Sequence, residues 1–231
     1  MKARQKRILA IDVGGSHVKL RVSNSRETRE FISGPALTAA QMAASVRRLT
    51  KDWTFDAVSI GYPGPVLHGK VVAEPHNLGR GWVRFDFRKA FGRPTLVMND
   101  AAMQAIGSYE GGRMLYLGLG TGLGTAMIVN GIVEPMELAH LPFKDGRTYE
   151  DFVGEAGRRR LGAKKWRKVV KEVVELLAAA LEVDYVVIGG GNVRKLKKLP
   201  KHVRLGNNAY AFRGGFRAWR GPLKSARPKS R

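Results

Sequence analysis

Apolar and polar positions change their period several times along the chain, and the changes mark its elements. Ile8–Val13 is a β-branched run ending in Asp-Val-Gly-Gly, and Val18-Lys-Leu-Arg-Val22 alternates. Together they predict a hairpin across a glycine turn. From Thr38 to Trp53 the apolar residues Met42, Val46, Leu49 and Trp53 recur at helical spacing, behind Thr38 as a suitable N-cap. Ala57–Gly61 predicts a strand entering a Pro-Gly-Pro turn, Lys70–Ala73 a short strand and Thr95–Met98 another, after which Asn99-Asp100 opens a helix to about Tyr109. Met114–Leu119 and Thr125–Val129 flank a glycine-rich loop as a second hairpin. Trp166–Leu181 is strongly amphipathic, and Tyr185–Ile188 reads as a buried strand. The run Gly189-Gly-Gly191 then turns into a short helix, and Ala209–Trp219 predicts a last one.

The hairpin with its glycine loop occurs twice, near residues 8–22 and 114–129. Strands and helices are mixed, so the pattern predicts two related α/β halves rather than one sheet with uniform crossovers. A length of 231 residues suits one large domain or two small ones.

Composition narrows the chemistry. The 44% of hydrophobic residues is enough for a sizeable core and excludes a disordered polycation. There is no cysteine, which excludes a disulfide framework, a thiolate zinc site and a cysteine nucleophile. Apolar runs are too short for a transmembrane helix, and the basic start reaches Asp12 before any secretory core has formed. A soluble cytoplasmic protein with no membrane partner is expected. The net charge of +22 is uneven: residues 158–231 hold 21 of the 41 Lys and Arg but 4 of the 19 acids. Such a surface attracts polyanions, or serves only as a solvated coat.

Four places can carry chemistry. Asp12-Val-Gly-Gly-Ser16 follows a strand, where Gly14 and Gly15 let backbone N–H groups approach an anion. Asp12 suits Mg²⁺ held through water, and Ser16 and Lys19 add a hydroxyl and an ammonium; a simple hairpin turn explains the same residues. Leu117-Gly-Leu-Gly-Thr-Gly-Leu-Gly-Thr125 lacks the Gly-Lys-Ser/Thr of a Walker loop and precedes no helix, so it reads as a phosphate-cradling hairpin or a tight packing turn. The Asp100 carboxylate can take a proton from a hydroxyl that Asn99 helps to orient, although an N-cap explains the pair equally well. Glu137, His140 and Glu150 are spaced to grip several hydroxyls of a sugar, the other reading being a metal site.

Six motifs then occur in order: Asp-x-Gly-Gly-Ser, Gly-Tyr-Pro-Gly-Pro-Val, Asn-Asp-Ala-Ala, Leu-Gly-Leu-Gly-Thr-Gly-Leu-Gly-Thr-Ala, Glu-Leu-Ala-His and Val-Ile-Gly-Gly-Gly-Asn. This series resembles the ROK family of sugar kinases, especially its polyphosphate glucokinase-like branch, from about Ile8 to Trp219. The resemblance implies an α/β, two-domain actin-like ATPase/hexokinase (ribonuclease H-like) fold with an interdomain cleft. Its domains would be residues 1–110 and 111–220, followed by a flexible basic tail at 221–231. It implies Asp12, Gly14, Gly15, Ser16 and Lys19 as a first phosphate loop, and Gly120, Thr121 and Gly122 as a second. Asp100 would be the general base, and Asn99, Glu137, His140 and Glu150 would hold the sugar. Gly189, Gly190 and Gly191 would lie beside the donor, with Mg²⁺ near Asp12.

Two departures stand out. The family's Glu-Leu-Gly-His is Glu-Leu-Ala-His here, so Ala139 brings a methyl group. Many members also carry a cysteine-rich zinc motif after that His, which this chain lacks, so no zinc is expected and His140 is assigned to the sugar. The expected reaction makes glucose 6-phosphate from glucose or a related hexose, with inorganic polyphosphate, ATP or both as donor. Polyphosphate is favoured by a basic track comprising Arg158–Arg160, Lys164, Lys165, Arg167, Lys168, Lys171, Lys195, Lys197, Lys198 and Lys201. The alternatives are an ATP-only glucokinase or another hexose kinase, and a nucleic-acid-binding protein with a vestigial kinase cleft. A repressor is disfavoured, because too few residues precede the first strand for a helix-turn-helix. A homodimer is common in such kinases and is expected here.

Overall fold

The computed structural model describes residues 5–197, 199–207 and 209–223. The expected tail at 221–231 falls outside them from residue 224 onward, as does Lys198 of the basic track. The chain divides into two compact units. The first runs to Met103 and takes back Ala211–Gly221, while the second contains Gln104–Tyr210.

The first unit is a five-stranded sheet in the order β3-β2-β1-β4-β7. Its strands are β1 (Ile8–Val13), β2 (His17–Val22), β3 (Thr28–Ile32), β4 (Ala57–Tyr62) and, beyond a small hairpin of β5 (Val66–Leu67) and β6 (Lys70–Val71), β7 (Thr95–Asn99). The first three form an antiparallel meander, while β4 and β7 run parallel to β1. Helix α1 (Ala39–Leu49) starts at Thr38 with a capping box to Gln41 and buries Met42 and Val46 on the sheet. It stops short of Trp53, which lies instead under the Arg29 guanidinium, 4.3 Å from the ring centroid. A short helix, α2 (Phe87–Phe91), precedes β7, and α3 (Asp100–Ser108) follows it.

The second unit repeats this plan as β10-β9-β8-β13-β14. Strands β8 (Arg113–Leu119), β9 (Leu123–Val129) and β10 (Ile132–Met136) form the meander. Strand β13 (Tyr185–Gly189) runs parallel to β8, and β14 (Val203–Leu205) parallel to β13. Between them lie a hairpin of β11 (Pro142–Lys144) and β12 (Arg147–Thr148), then α4 (Tyr149–Val153) and α5 (Glu155–Ala180). The repeated hairpin read in the sequence is therefore a repeated sheet. Strand β10 escaped that reading because Pro135 interrupts it, and an edge strand tolerates proline.

Helix α5 begins well before Trp166, its expected start, and bends where Gly162 adopts φ 72°. Arg158–Arg160 and two glycines had obscured that first stretch. Its Trp166, Val170, Val173, Val174 and Leu177 pack on Leu115, Leu117, Val186 and Ile188 of the sheet.

The division between the units falls within α3 rather than at residue 110, and the last helix, α6 (Ala209–Arg217), also departs from the expected boundary. Most of it packs with the first unit because Gly215 lets its backbone come close to Ala10 and Ser59. The Ser59 hydroxyl donates to Gly215 O at 2.7 Å and accepts from Trp219 Nε1 at 2.9 Å.

Candidate active site

In the first unit the parallel register pairs Asp12 with Gly61, Gly61 with Met98 and Tyr62 with Asn99. Asp12, the turn after Tyr62 and the Asn99-Asp100 pair therefore leave the sheet at one carboxyl edge, where open α/β sheets bind ligands. Asp12 is half-buried and lies opposite Lys19 on β2. Burial pushes its carboxyl up to about 6, against the pull of the Lys19 ammonium. A desolvated carboxylate of this kind fits a divalent cation held through water, since Mg²⁺ needs few protein ligands. The following turn is pinned from both sides. Gly14 N donates to His17 O at 3.0 Å, and the Ser33 hydroxyl donates to Gly14 O at 2.6 Å. Gly15 and Ser16 are left exposed at its tip.

Asn99 is buried and ties two segments together. Its carboxamide donates to Gly64 O at 3.2 Å and accepts from Ala102 N at 3.1 Å, so it caps α3. Asp100 is the first residue of that helix and accepts from Ala101 N at 2.8 Å. Gly61 explains how the helix seats here, because a Cβ on it would lie 2.5 Å from Met103 Cε and 3.5 Å from Asp100 Cα. Sequence reasoning passed over Tyr62, whose hydroxyl donates to Ala73 O at 2.8 Å and holds the outgoing loop.

In the second unit Gly118 pairs with Gly189 across β8 and β13, so the glycine hairpin and the Gly189–Gly191 turn share an edge. They are joined by Asn192, a buried residue whose N–H donates to Leu119 O and whose carboxamide donates to Gly120 O, both at 3.0 Å. Lys195 Nζ donates to the Asn192 carboxamide oxygen at 2.8 Å. Asn192 ended the last of the six motifs but was not expected in the site. Its signal in the sequence was only that position after three glycines.

Glu150 comes from the first turn of α4 and accepts from Leu123 N at 2.9 Å. Glu155 N donates to Thr121 O at 3.1 Å, which brings the start of α5 to the same hairpin. The Arg158 guanidinium holds the Glu155 carboxyl well below the usual carboxylate range. Thr125 accepts from Leu138 N at 3.2 Å and donates to Met136 O at 2.6 Å, which anchors the turn carrying Glu137 and His140, both exposed. The Ala139 methyl is buried in the core of the unit. Between His140 and Glu150 the β11–β12 hairpin is clamped by aromatic rings, with Phe143 stacked on Tyr149 at 4.9 Å and edge-on to Phe152 at 5.2 Å.

A family model described as the ROK family matches residues 8–135. The chain belongs to the ROK family. Among relatives, a glucokinase of Pyrobaculum calidifontis is 34% identical over 119 residues, which cover 49% of this chain and 38% of that protein. The chain thus matches about two-fifths of that relative's length. A polyphosphate glucokinase of Mycobacterium tuberculosis strain H37Rv is 27% identical over 218 residues, covering 84% of this chain and 81% of the relative. Among solved structures, the inorganic polyphosphate/ATP-glucomannokinase of Arthrobacter sp. strain KM superposes with a TM-score of 0.79 at 21% identity, covering 92% of this chain and 98% of that one. A ROK family glucokinase from Streptomyces griseus, in complex with glucose and AMPPNP, gives 0.71 at 15% identity, covering 93% and 99%. The expected actin-like ATPase fold is therefore the observed one.

Each ROK motif lands at a strand end or a cap. Asp12, Gly14, Gly15, Ser16, Asn99 and Asp100 gather at the carboxyl edge of the first sheet. Gly120, Thr121, Gly122, Glu150, Gly190 and Gly191 gather at that of the second. Gly189 is buried beneath the Tyr116 hydroxyl, which occupies the space a Cβ would take. No group of three His, Asp or Glu is brought together among the described residues. Nor is any described helix long and apolar enough to cross a membrane.

Proposed function

We propose that this chain is a glucokinase that transfers a phosphoryl group to the primary hydroxyl of glucose, with inorganic polyphosphate as donor and ATP as the second donor to test. The observation that carries the reading is the Asp100 carboxylate, half-buried at the head of α3 and at the same sheet edge as the Asp12 turn. A proton acceptor on the same sheet edge as a backbone turn suited to phosphate supports phosphoryl transfer. The names of the Mycobacterium relative and the Arthrobacter neighbour support the donor, and those of all four proteins support glucose or a related hexose.

Asp100 accepts the hydroxyl proton as the new oxygen–phosphorus bond forms and the donor's terminal phosphoanhydride bond breaks. The shortened donor leaves with the bridging oxygen. The backbone N–H groups of Gly15, Ser16, Thr121 and Gly122 orient phosphate oxygens within their own units, those of Gly14 and Gly120 being held inside their turns by His17 O and Gly122 O. Asp12 would hold Mg²⁺ through water, and the bound ion would supply charge neutralisation at those oxygens. Glu137, His140 and Glu150 hold sugar hydroxyls, a carboxylate offering up to about four acceptor sites.

Coupled detection of glucose 6-phosphate with long-chain polyphosphate and with ATP, each at rising salt, tests the reading. Polyphosphate-driven turnover that falls steeply with salt is expected. Turnover with ATP alone and little salt dependence overturns the donor assignment, and no turnover of any hexose overturns the activity.

A further inference from the structure

The basic track read in the sequence separates into two groups of different character. Arg158 and Arg159 both bind Glu155, at 2.5 and 3.2 Å, and Arg160 donates to Asp151 O at 2.8 Å while lying over the Phe152 ring. Lys195 is engaged by Asn192. These cations serve the local fold. The second group does not. Lys164, Arg167, Lys168 and Lys171 on α5, with Lys197 opposite, ring a groove of about 350 Å³ that no carboxylate among the described residues lines. Of the nearby acids of α5, Glu172 pairs with Lys144 at 2.5 Å, while Glu175 pairs with Lys171 at 3.6 Å and partly offsets that one groove cation, leaving Lys164, Arg167, Lys168 and Lys197 as the main charge.

We propose that this groove holds a linear polyphosphate chain, as a site separate from the residues that transfer its terminal phosphoryl group. The inference rests on the polyphosphate reading above and adds where the rest of the polymer goes. Residues 164, 168 and 171 recur at helical spacing and so present their ammonium groups along one face. The floor is aliphatic, formed by Val170, Val174, Leu196 and Leu199. Lysine stems lie along such a floor and splay their charged ends at the rim. Among the described residues no aromatic ring lines the groove, so it offers no stacking platform for nucleobases, a contact that single-stranded nucleic-acid sites commonly use. An inorganic chain carries negative charge along its whole length and needs no such platform.

The same helix connects the groove to the phosphate hairpin of its unit. Glu155, its first residue, donates its backbone N–H to Thr121 O, and Lys164 to Lys171 follow beyond the bend at Gly162. A nucleoside triphosphate confines its charge to three linked phosphates, whereas a polymer carries charge far from the group that is transferred. The groove therefore favours long donors over short ones, and its contribution depends on displaced counterions.

The test combines Lys164→Gln, Arg167→Gln, Lys168→Gln and Lys197→Gln, with Lys168→Glu alone as a milder second variant. A charge-matched control neutralises Arg48, Lys51, Arg88 and Lys89 in the first unit. Direct binding of long-chain polyphosphate is measured against salt, beside turnover with long-chain polyphosphate, tripolyphosphate and ATP. The quadruple variant should bind the long chain at least tenfold more weakly. The steepness of its log–log salt slope should fall by about 3, from roughly 0.7 per lost contact. Its turnover with tripolyphosphate and ATP should stay within twofold of wild type, the single reversal should lie between, and the control should match wild type.

Unchanged long-chain binding in the quadruple variant overturns the proposal, as does an equal loss in the control. Competition by single-stranded DNA of matched charge at equal affinity also overturns it in favour of nucleic acid. The two readings fail separately. Wild-type protein that binds the chain through the groove yet makes no product from it refutes only the donor assignment. Wild-type turnover with polyphosphate, beside normal binding by the quadruple variant, refutes only the groove.

Discussion

The Glu150 carboxylate accepts the backbone N–H of Leu123 at 2.9 Å, so the first turn of α4 braces the return strand of the glycine hairpin. A Cβ on Gly122 would overlap that carboxylate, so a side chain there has to push the end of Glu150 aside. Gly122→Ala should fold but displace Glu150, lowering kcat with either donor by more than tenfold. Glu150→Gln keeps an acceptor for Leu123 and should leave Tm nearly unchanged while raising the KM for glucose. Glu150→Ala leaves the N–H unpartnered and should cost about 1–3 kcal/mol in denaturant unfolding. A glucose KM that is unmoved by the Gln variant would confine Glu150 to bracing.

Asp100 has a neighbour able to carry the local structure by itself. Asn99 caps α3 through Ala102 N, so Asp100→Asn should retain the helix and its seat on Gly61. Removing a general base typically costs about 10²–10⁴ in rate. The variant should therefore lose kcat on that scale, with glucose binding by calorimetry within a few-fold of wild type. Near-normal turnover removes Asp100 from the base role.

Asn192 joins two glycine turns by hydrogen bonds to Leu119 O and Gly120 O. Asn192→Ala loses the side-chain bond and leaves the half-buried Gly120 carbonyl and Lys195 without this partner. A stability loss of about 1–3 kcal/mol is expected, with a raised KM for the donor and a glucose KM that moves less. Equal changes in both KM values would point to general loosening of the unit.

Acid sensitivity should be localised at Arg29. Its guanidinium contacts Asp52 Oδ2 at 2.7 Å and Glu27 at 2.7 Å, and the Asp52 carboxyl is held down to about 2. A carboxyl with its pKa lowered by folding stabilises the fold above its unfolded value, near pH 3.8, and loses that contribution as pH falls towards 2. Arg29→Met should thus be less stable than wild type at pH 7, and the gap should narrow between pH 4 and 2. Both partners are exposed to salt, so 1 M NaCl should narrow it too. A gap that does not change with pH assigns the loss to the Trp53 stacking contact instead.

Local physics made much of the molecule legible beforehand. The hairpin at residues 8–22, the capped helix after Thr38 and the Asn99-Asp100 helix start all depend on neighbours in the chain, so period and capping chemistry reveal them. The order of motifs likewise carries the ROK resemblance without any tertiary information. Weak local signals were lost. Strand β10 is hidden by Pro135, and the first turns of α5 by glycines and arginines.

Period, glycine placement and charge by themselves determined two similar α/β halves, their glycine turns and a strongly basic last third. Only the tertiary structure decided which cations the fold engages, because several acids were available and packing selects the partner, as Glu155 takes Arg158 and Arg159 while Glu172 takes Lys144. It likewise assigned most of the last helix to the first unit, since the fit of Gly215 against Ala10 and Ser59 is a matter of packing that no local pattern encodes.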